Sequence, residues 1–155
     1  MIEAIESARI KHAFDVWAYV IMPEHMHLLI FPRRSGYAIS PILYAIKKSV
    51  ANRAITYVIQ HSPSFLRQME YKEPKGISHR FWQPGGGYDR NLWSESHVWE
   101  TIDYIHANPV RRGLCAHPND WEWSSARFYA GKGMGPLTIT PDHLPRDPRG
   151  LRGGF

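Results

Sequence analysis

The stretch Ala18–Phe31 constrains the fold of this chain more than any other segment. It contains two runs of β-branched, aromatic and other apolar residues with a break at Pro23, which predicts two strands joined by a short turn. The second run sets His25 and His27 two residues apart, and alternate residues of a strand point to one face. The two imidazoles are therefore expected to share a face. Such a pair suits either a common metal ion or hydrogen bonding on a sheet surface, and the spacing alone leaves both open.

Helical apolar spacing recurs in three other segments of the chain. They cover residues 2–14, 40–59 and 94–108. Pro109 is expected to end the third helix, because proline lacks the amide hydrogen that the next turn needs. Residues 61–80 are predicted to be a loop with a short helical turn. The glycine- and proline-rich segment 131–155 is predicted to be a tail without a core of its own, following one globular domain over residues 1–130.

The charge balance favours a polyanionic partner. Lys and Arg number 19 against 14 Asp and Glu, a net charge of +5, which favours nucleic acid. Six Trp, eight Tyr and six Phe suit both core packing and base stacking. Cys115 is the single cysteine, so neither an internal disulfide nor a cysteine-based zinc site is expected. No apolar run is long enough to cross a membrane and no signal peptide is evident, so we expect a cytoplasmic protein without a membrane partner.

Two polar residues stand one helical turn apart in the third helix. Tyr104 and Asn108 can point to a common place, since side chains at i and i+4 share a helix face. A helical tyrosine is often only a packing residue, and asparagine before proline often only terminates a helix. The second helix carries a basic face with Lys47, Lys48 and Arg53, which is either solvated surface or a phosphate contact.

Three motifs occur in a fixed order along the chain. They are Met-Pro-Glu-His-Met-His at 22–27, Asp-Tyr-Ile-His-Ala-Asn-Pro-Val-Arg-Arg-Gly-Leu at 103–114, and Asp-Trp-Glu-Trp-Ser-Ser at 120–125. Together they resemble the REP-associated tyrosine transposases, bacterial relatives of the single-tyrosine HUH transposases. The resemblance extends from about Val16 to Tyr129.

The resemblance implies a fold, a chemistry and a set of residues. The fold would be α+β, a ferredoxin-like antiparallel sheet with helices packed on it. His25 and His27 would be metal ligands, Asn108 the third ligand and Tyr104 the nucleophile, while Glu24 would not be a ligand. The bound ion would be Mg²⁺ or Mn²⁺, and Mn²⁺ accepts imidazole more readily.

The resemblance also implies the substrate. Relatives bind single-stranded DNA hairpins formed by palindromic repeats, and they cleave and rejoin DNA through a 5′-phosphotyrosine link. Arg111 and Arg112 would contact phosphates together with the basic face of the second helix, or would only complement the end of their own helix. The protein would act as a monomer or homodimer associated with the bacterial nucleoid. An alternative is a DNA-hairpin-binding protein that has lost catalysis.

One departure from the family pattern concerns the beginning of the chain. Relatives begin with an additional strand, which lies beside the histidine strand, whereas this sequence begins at about the first helix. Without that strand a buried sheet edge would be left unpaired unless another segment or a second chain fills the place. We therefore expect a longer version that includes such a strand to be more stable, and equal melting temperatures would contradict this.

Overall fold

Two strands and one helix form the framework that carries the predicted site residues. The computed structural model describes residues 1–74, 76–85 and 87–148. Its helices are α1 (Ile2–His12), α2 (Ile39–His61), α3 (Glu95–Arg111) and α4 (Ala126–Tyr129), and its strands are β1 (Phe14–Ile21), β2 (Met26–Pro32), β3 (Glu70–Glu73) and β4 (Gly76–His79). Short 3-10 helices span Pro63–Met69 and Pro118–Asp120. The predicted α+β fold is confirmed.

The chain divides into two compact units. The first contains Met1, Glu3–Ala8 and Ala38–Asp89, and the second contains Ile2, Arg9–Tyr37 and the chain from Arg90 onward. In the first unit, β3 and β4 form an antiparallel hairpin, and the Arg53 side chain pairs with Glu3. This hairpin lies where a loop was predicted, and that prediction is wrong for residues 70–79. Most side chains of the hairpin are exposed, and its strands are held by backbone pairing. The sequence therefore lacks the alternating apolar pattern by which a half-buried strand is predicted.

The second unit is built on the β1–β2 pair. The strands are antiparallel, with Val20 opposite His27 and a bulge at Trp17. A bulge inserts an extra residue into one strand, so it lets Trp17 join Ala18 on one face. This face packs on α3 in a buried apolar core. The core residues are Trp17, Ala18, Val20, Met22, Val98, Trp99, Ile102 and Ile105. Val98, Ile102 and Ile105 form the buried stripe of α3, which agrees with the helical apolar spacing predicted for residues 94–108.

Helix α3 does not end before Pro109 as predicted; it continues to Arg111. Proline has no amide hydrogen to donate to the carbonyl of Ile105. The Asn108 side chain replaces that donor in part, because its Nδ2 lies 2.8 Å from the Tyr104 carbonyl oxygen and 3.5 Å from that of Ile105. The backbone amide of Arg112 then resumes the helical pattern by donating to the Asn108 carbonyl. The helix therefore passes through the proline with its carbonyls largely satisfied.

The two edges of the β1–β2 pair differ. The edge of β1 that faces away from β2 is covered by irregular chain. Ile21 N–H donates to the Trp123 carbonyl, and Thr140 N–H donates to the Val16 carbonyl. Ser125 also exchanges hydrogen bonds with the Tyr19 backbone and lies 2.7 Å from His106 Nε2. Within the described residues, β2 pairs with β1 and with no second strand. The histidine strand is thus an edge of the described sheet.

The described part of the glycine- and proline-rich segment packs within the second unit. Leu137 and Ile139 are buried, and the indole nitrogens of Trp17 and Trp99 donate to the carbonyls of Asp142 and Pro145. The segment has no helix or strand between residues 131 and 148, and residues 149–155 of the predicted tail lie outside the described residues. The division at residue 130 stays a prediction.

Gly135 permits a close approach to the buried Tyr19 side chain. A Cβ atom at this position would lie 2.4 Å from the Tyr19 hydroxyl and 2.8 Å from the Ser124 carbonyl oxygen. Tyr19 is fully buried, and its hydroxyl accepts from the Leu137 amide, so neither neighbour moves freely. We expect Gly135→Ala to lower the free energy of unfolding by about 1–3 kcal/mol, measured by urea denaturation. The control, Met134→Ala at an exposed neighbour, should change it by less than about 0.5 kcal/mol. An unchanged midpoint for Gly135→Ala would refute the close contact.

Candidate functional site

An open cleft of about 510 Å³ collects most of the residues that the sequence singled out. It lies entirely in the second unit, where the end of β1 and the start of β2 face the C-terminal half of α3. Its lining residues are His25, His27, Tyr104, Asn108, Arg111 and Arg112. The two histidines and Asn108 therefore share one cleft with Tyr104, although His27 and Tyr104 are 77 positions apart in the sequence.

The two histidines reach the cleft from different backbone settings. His27 lies within β2 opposite Val20, whereas His25 precedes the strand, in the turn where its carbonyl accepts from the Met22 amide. Their ring centroids are 5.1 Å apart and the rings meet edge to face. The two histidines therefore line the same cleft as predicted, but only His27 does so from a strand, because His25 lies in the preceding turn.

His27 is suited to remain neutral. Burial lowers the pKa of His27 below the ordinary imidazole value, and the neighbouring His25 lowers it further, while a hydrogen bond with the Asn108 side chain opposes the shift. A neutral imidazole keeps a lone pair available, which metal ligation requires.

The Asn108 amide is oriented by its own helix. Because its nitrogen donates to the Tyr104 and Ile105 carbonyls, the amide oxygen is the atom left to accept from the His27 ring. The Asn108 side chain therefore lines the same cleft as the two imidazoles. Divalent ions such as Mn²⁺ accept this mixed set of nitrogen and oxygen donors, so the residues fit such an ion. Among the described residues no three His, Cys, Asp or Glu side chains form a metal-binding group, so the amide would have to supply the third ligand.

Tyr104 lies at the mouth of the same cleft. Its ring centroid is 5.5 Å from that of His27, and 47% of the residue is exposed. The Arg111 guanidinium carbon lies 5.3 Å from the Tyr104 ring centroid, which is cation–π range. An anionic group at the hydroxyl would therefore meet a positive charge on the same helix.

The remaining predicted DNA contacts divide between the two units. Arg112 lines the cleft and forms an ion pair with Glu24. In the first unit, the Lys47 ammonium donates to the Gly85 carbonyl, and Arg53 is paired with Glu3. The Lys48 ammonium lies 5.3 Å from the centroid of the Tyr44 ring.

Sequence analysis missed the contacts of Glu24. The carboxylate accepts a hydrogen bond from Arg112, 88 residues away, and its Oε1 lies 3.6 Å from His25 Nδ1. Only the position of Glu24 next to the histidine pair could have drawn attention to it, since no local pattern links it to the end of α3. In the third motif, the Trp121 indole donates to the Ile21 carbonyl and Ser125 is buried, so both residues pack within the fold.

Comparison with known proteins supports the resemblance. No family model matches the chain. Over 120 residues the chain is 28% identical to a Haemophilus influenzae protein named as a REP-associated tyrosine transposase, a match that covers 74% of this chain and 60% of that protein. The chain thus spans about three fifths of the length of that curated relative.

A solved structure gives a similar result for the fold. It is described as a REP-associated tyrosine transposase bound to a REP hairpin, and it matches with a TM-score of 0.55 at 23% identity, covering 97% of this chain and 76% of that chain. The predicted resemblance to this family is confirmed by both matches, and the structural match confirms the fold. No helix among the described residues is both long and apolar enough to cross a bilayer.

Proposed function

We propose that this chain is a DNA strand-transferase of the REP-associated tyrosine transposase type, acting on single-stranded repeat hairpins in the bacterial nucleoid. One observation carries the proposal: a tyrosine, two histidines, an asparagine and two arginines line one open cleft. This combination supports strand cleavage over hairpin binding alone, because binding DNA by its phosphates needs only the cations.

Tyr104 is the proposed nucleophile. Its hydroxyl oxygen attacks the scissile phosphorus, the phenolic proton leaves to solvent, and the bond to the 3′ oxygen of the preceding nucleotide breaks. The products are a 5′-phosphotyrosine link and a free 3′-hydroxyl, which takes up a proton. Because the phosphodiester energy is kept in the link, a 3′-hydroxyl can later attack it and rejoin the DNA without a nucleotide cofactor.

His25, His27 and Asn108 are the proposed ligands of a divalent ion, Mg²⁺ or Mn²⁺. When bound, the ion supplies Lewis-acid polarisation of the phosphate's nonbridging oxygens. The chain's own contribution is to hold three donors with lone pairs free and Tyr104 beside them, so that little reorganisation is needed at the moment of reaction. Arg111 adds a fixed positive charge next to the Tyr104 ring.

Phosphate contacts along the DNA are proposed for Arg111, Arg112 and the basic residues of α2. An exposed ion pair such as Arg53–Glu3 contributes little by itself, so a DNA phosphate can replace the carboxylate as the partner of the guanidinium. Such contacts release counterions, and hairpin affinity should therefore fall steeply as salt rises.

A denaturing gel tests the proposal directly. The purified protein is mixed with a labelled single-stranded repeat hairpin and Mn²⁺, with and without a chelator. We expect a labelled band that survives denaturation at the combined mass of protein and DNA fragment, and its absence with chelator. Salt-sensitive binding in a native gel with no covalent product under any metal condition would reject strand transfer in favour of the alternative, a hairpin-binding protein without catalysis.

A further inference from the structure

Glu24 connects the histidine turn to the end of α3. Its carboxylate accepts from the Arg112 guanidinium, and its Oε1 atom lies 3.6 Å from Nδ1 of His25. Arg112 directly follows the last residue of α3, whereas Glu24 and His25 lie in the turn between β1 and β2. Three side chains from two distant segments thus form one chain of contacts beside the cleft.

We propose that Glu24 is a positioning residue for His25 and that Arg112 holds Glu24 in place. The inference rests on the proposed function in taking His25 as a metal ligand. A carboxylate beside Nδ1 favours the tautomer with its proton on that nitrogen, which leaves the Nε2 lone pair for an ion. The same contact limits rotation of a ring that the strand does not fix, since His25 precedes β2.

Arg112 is needed because the Glu24 side chain is half exposed and lies in a turn. A free glutamate in such a place samples many rotamers, and only some place its carboxylate at His25. The guanidinium fixes the carboxylate from the helix that also carries Tyr104 and Asn108. The contact therefore ties the histidine turn to the helix of the nucleophile.

A direct ligand role for Glu24 fits the structure less well. In the part of the chain that the structure describes, no three His, Cys, Asp or Glu side chains are grouped to hold a metal ion, so Glu24 does not complete a set with the two histidines. The Glu24 carboxylate oxygen near His25 is also the one that Arg112 contacts. Both facts place Glu24 behind the ligand rather than beside the ion.

The tautomer of His25 in metal-free protein tests the contact without any activity assay. Nitrogen-15 spectra of labelled histidine should show the proton on Nδ1 of His25 in the wild type. Glu24→Ala should shift the population toward the other tautomer, whereas Glu24→Gln should largely preserve it, because an amide oxygen beside Nδ1 is also a hydrogen-bond acceptor. Glu100→Gln, which removes an exposed carboxylate three turns earlier on α3, is the matched control and should leave the spectrum unchanged. A wild-type His25 protonated on Nε2 would overturn the proposal.

Mn²⁺ affinity, measured by the loss of the free-ion electron paramagnetic resonance signal, gives a second readout. Glu24→Ala should weaken binding about tenfold to a hundredfold, and Glu24→Gln should recover part of the loss. The exchange of charges, Glu24→Arg with Arg112→Glu, restores the ion pair but places no acceptor beside His25, so affinity should stay low. Full recovery in the exchanged protein would show that Glu24 acts only as a tether and would overturn the proposal.

The tautomer spectra and the Mn²⁺ titration together distinguish a failure of this inference from a failure of the proposed function. If the wild type binds no Mn²⁺, the proposed metal site fails, and the tautomer spectra still decide whether Glu24 orients His25. If the wild type binds Mn²⁺ and Glu24→Ala binds it equally well, the metal site stands and the positioning role is refuted. Melting temperatures should be nearly equal in all variants, because an exposed ion pair contributes little to stability.

Discussion

Tyr104→Phe is expected to abolish the covalent protein–DNA product, with the rate of strand cleavage lowered by about a thousandfold or more. The change removes one oxygen atom, the proposed nucleophile, and keeps the ring that faces His27 and Arg111. Because that oxygen is absent, no phosphotyrosine can form at this position, whatever metal is supplied. The measurement is the labelled covalent band on a denaturing gel.

The controls for this variant are binding and a matched tyrosine. Native-gel affinity for the hairpin should stay within about twofold of the wild type, since phosphate contacts by cations dominate affinity. Tyr57→Phe, an exposed tyrosine of α2 that stacks on His61, should leave cleavage unchanged. A covalent product that persists in Tyr104→Phe would assign the nucleophile to another residue.

His27→Ala is expected to weaken Mn²⁺ binding by more than about a hundredfold, beyond the loss that follows removal of an outer-shell partner. The imidazole is half-buried, and burial lowers the pKa of His27, so its removal deletes a proposed ligand suited to keep a lone pair. The measurement is Mn²⁺ titration of the metal-free protein, with cleavage assayed in parallel.

The control for His27→Ala is an exposed histidine outside the cleft. His61→Ala on α2 should bind Mn²⁺ as the wild type does. The melting temperature of His27→Ala must be measured alongside, because β2 is an edge strand in the described sheet. Unchanged Mn²⁺ affinity in a folded His27→Ala protein would remove His27 from the ligand set.

Local patterns predicted the elements that bury apolar faces. The α3 stripe and the two strands around Pro23 follow from the 3.6-residue and 2-residue periods of their apolar side chains. The β3–β4 hairpin was not predicted because its pairing is made by the backbone and its side chains are mostly exposed. The predicted end of α3 was wrong because the Asn108 side chain donates to the Ile105 carbonyl in place of the amide hydrogen that Pro109 lacks.

Only those residues of the candidate site that stand in a recognisable motif could be predicted from the sequence. His25, His27, Tyr104 and Asn108 stand in motifs, and the structure brings these four residues into one cleft. The Glu24–Arg112 contact joins residues 88 positions apart through exposed side chains, and neither burial periodicity nor spacing encodes such a pair. Contacts of this kind depend on tertiary structure, which brings the turn and the helix end together.

The Asn108 amide has consequences for how this protein can change over generations. Its nitrogen serves the helix at the proline, and its oxygen serves the cleft. An aspartate could offer oxygen to an ion but could not donate to the Ile105 carbonyl, while an alanine could do neither. A substitution at Asn108 would thus affect both the shape of the helix and the proposed chemistry. Even without the proposed strand cleavage, the helix would still require Asn108 for as long as Pro109 is present.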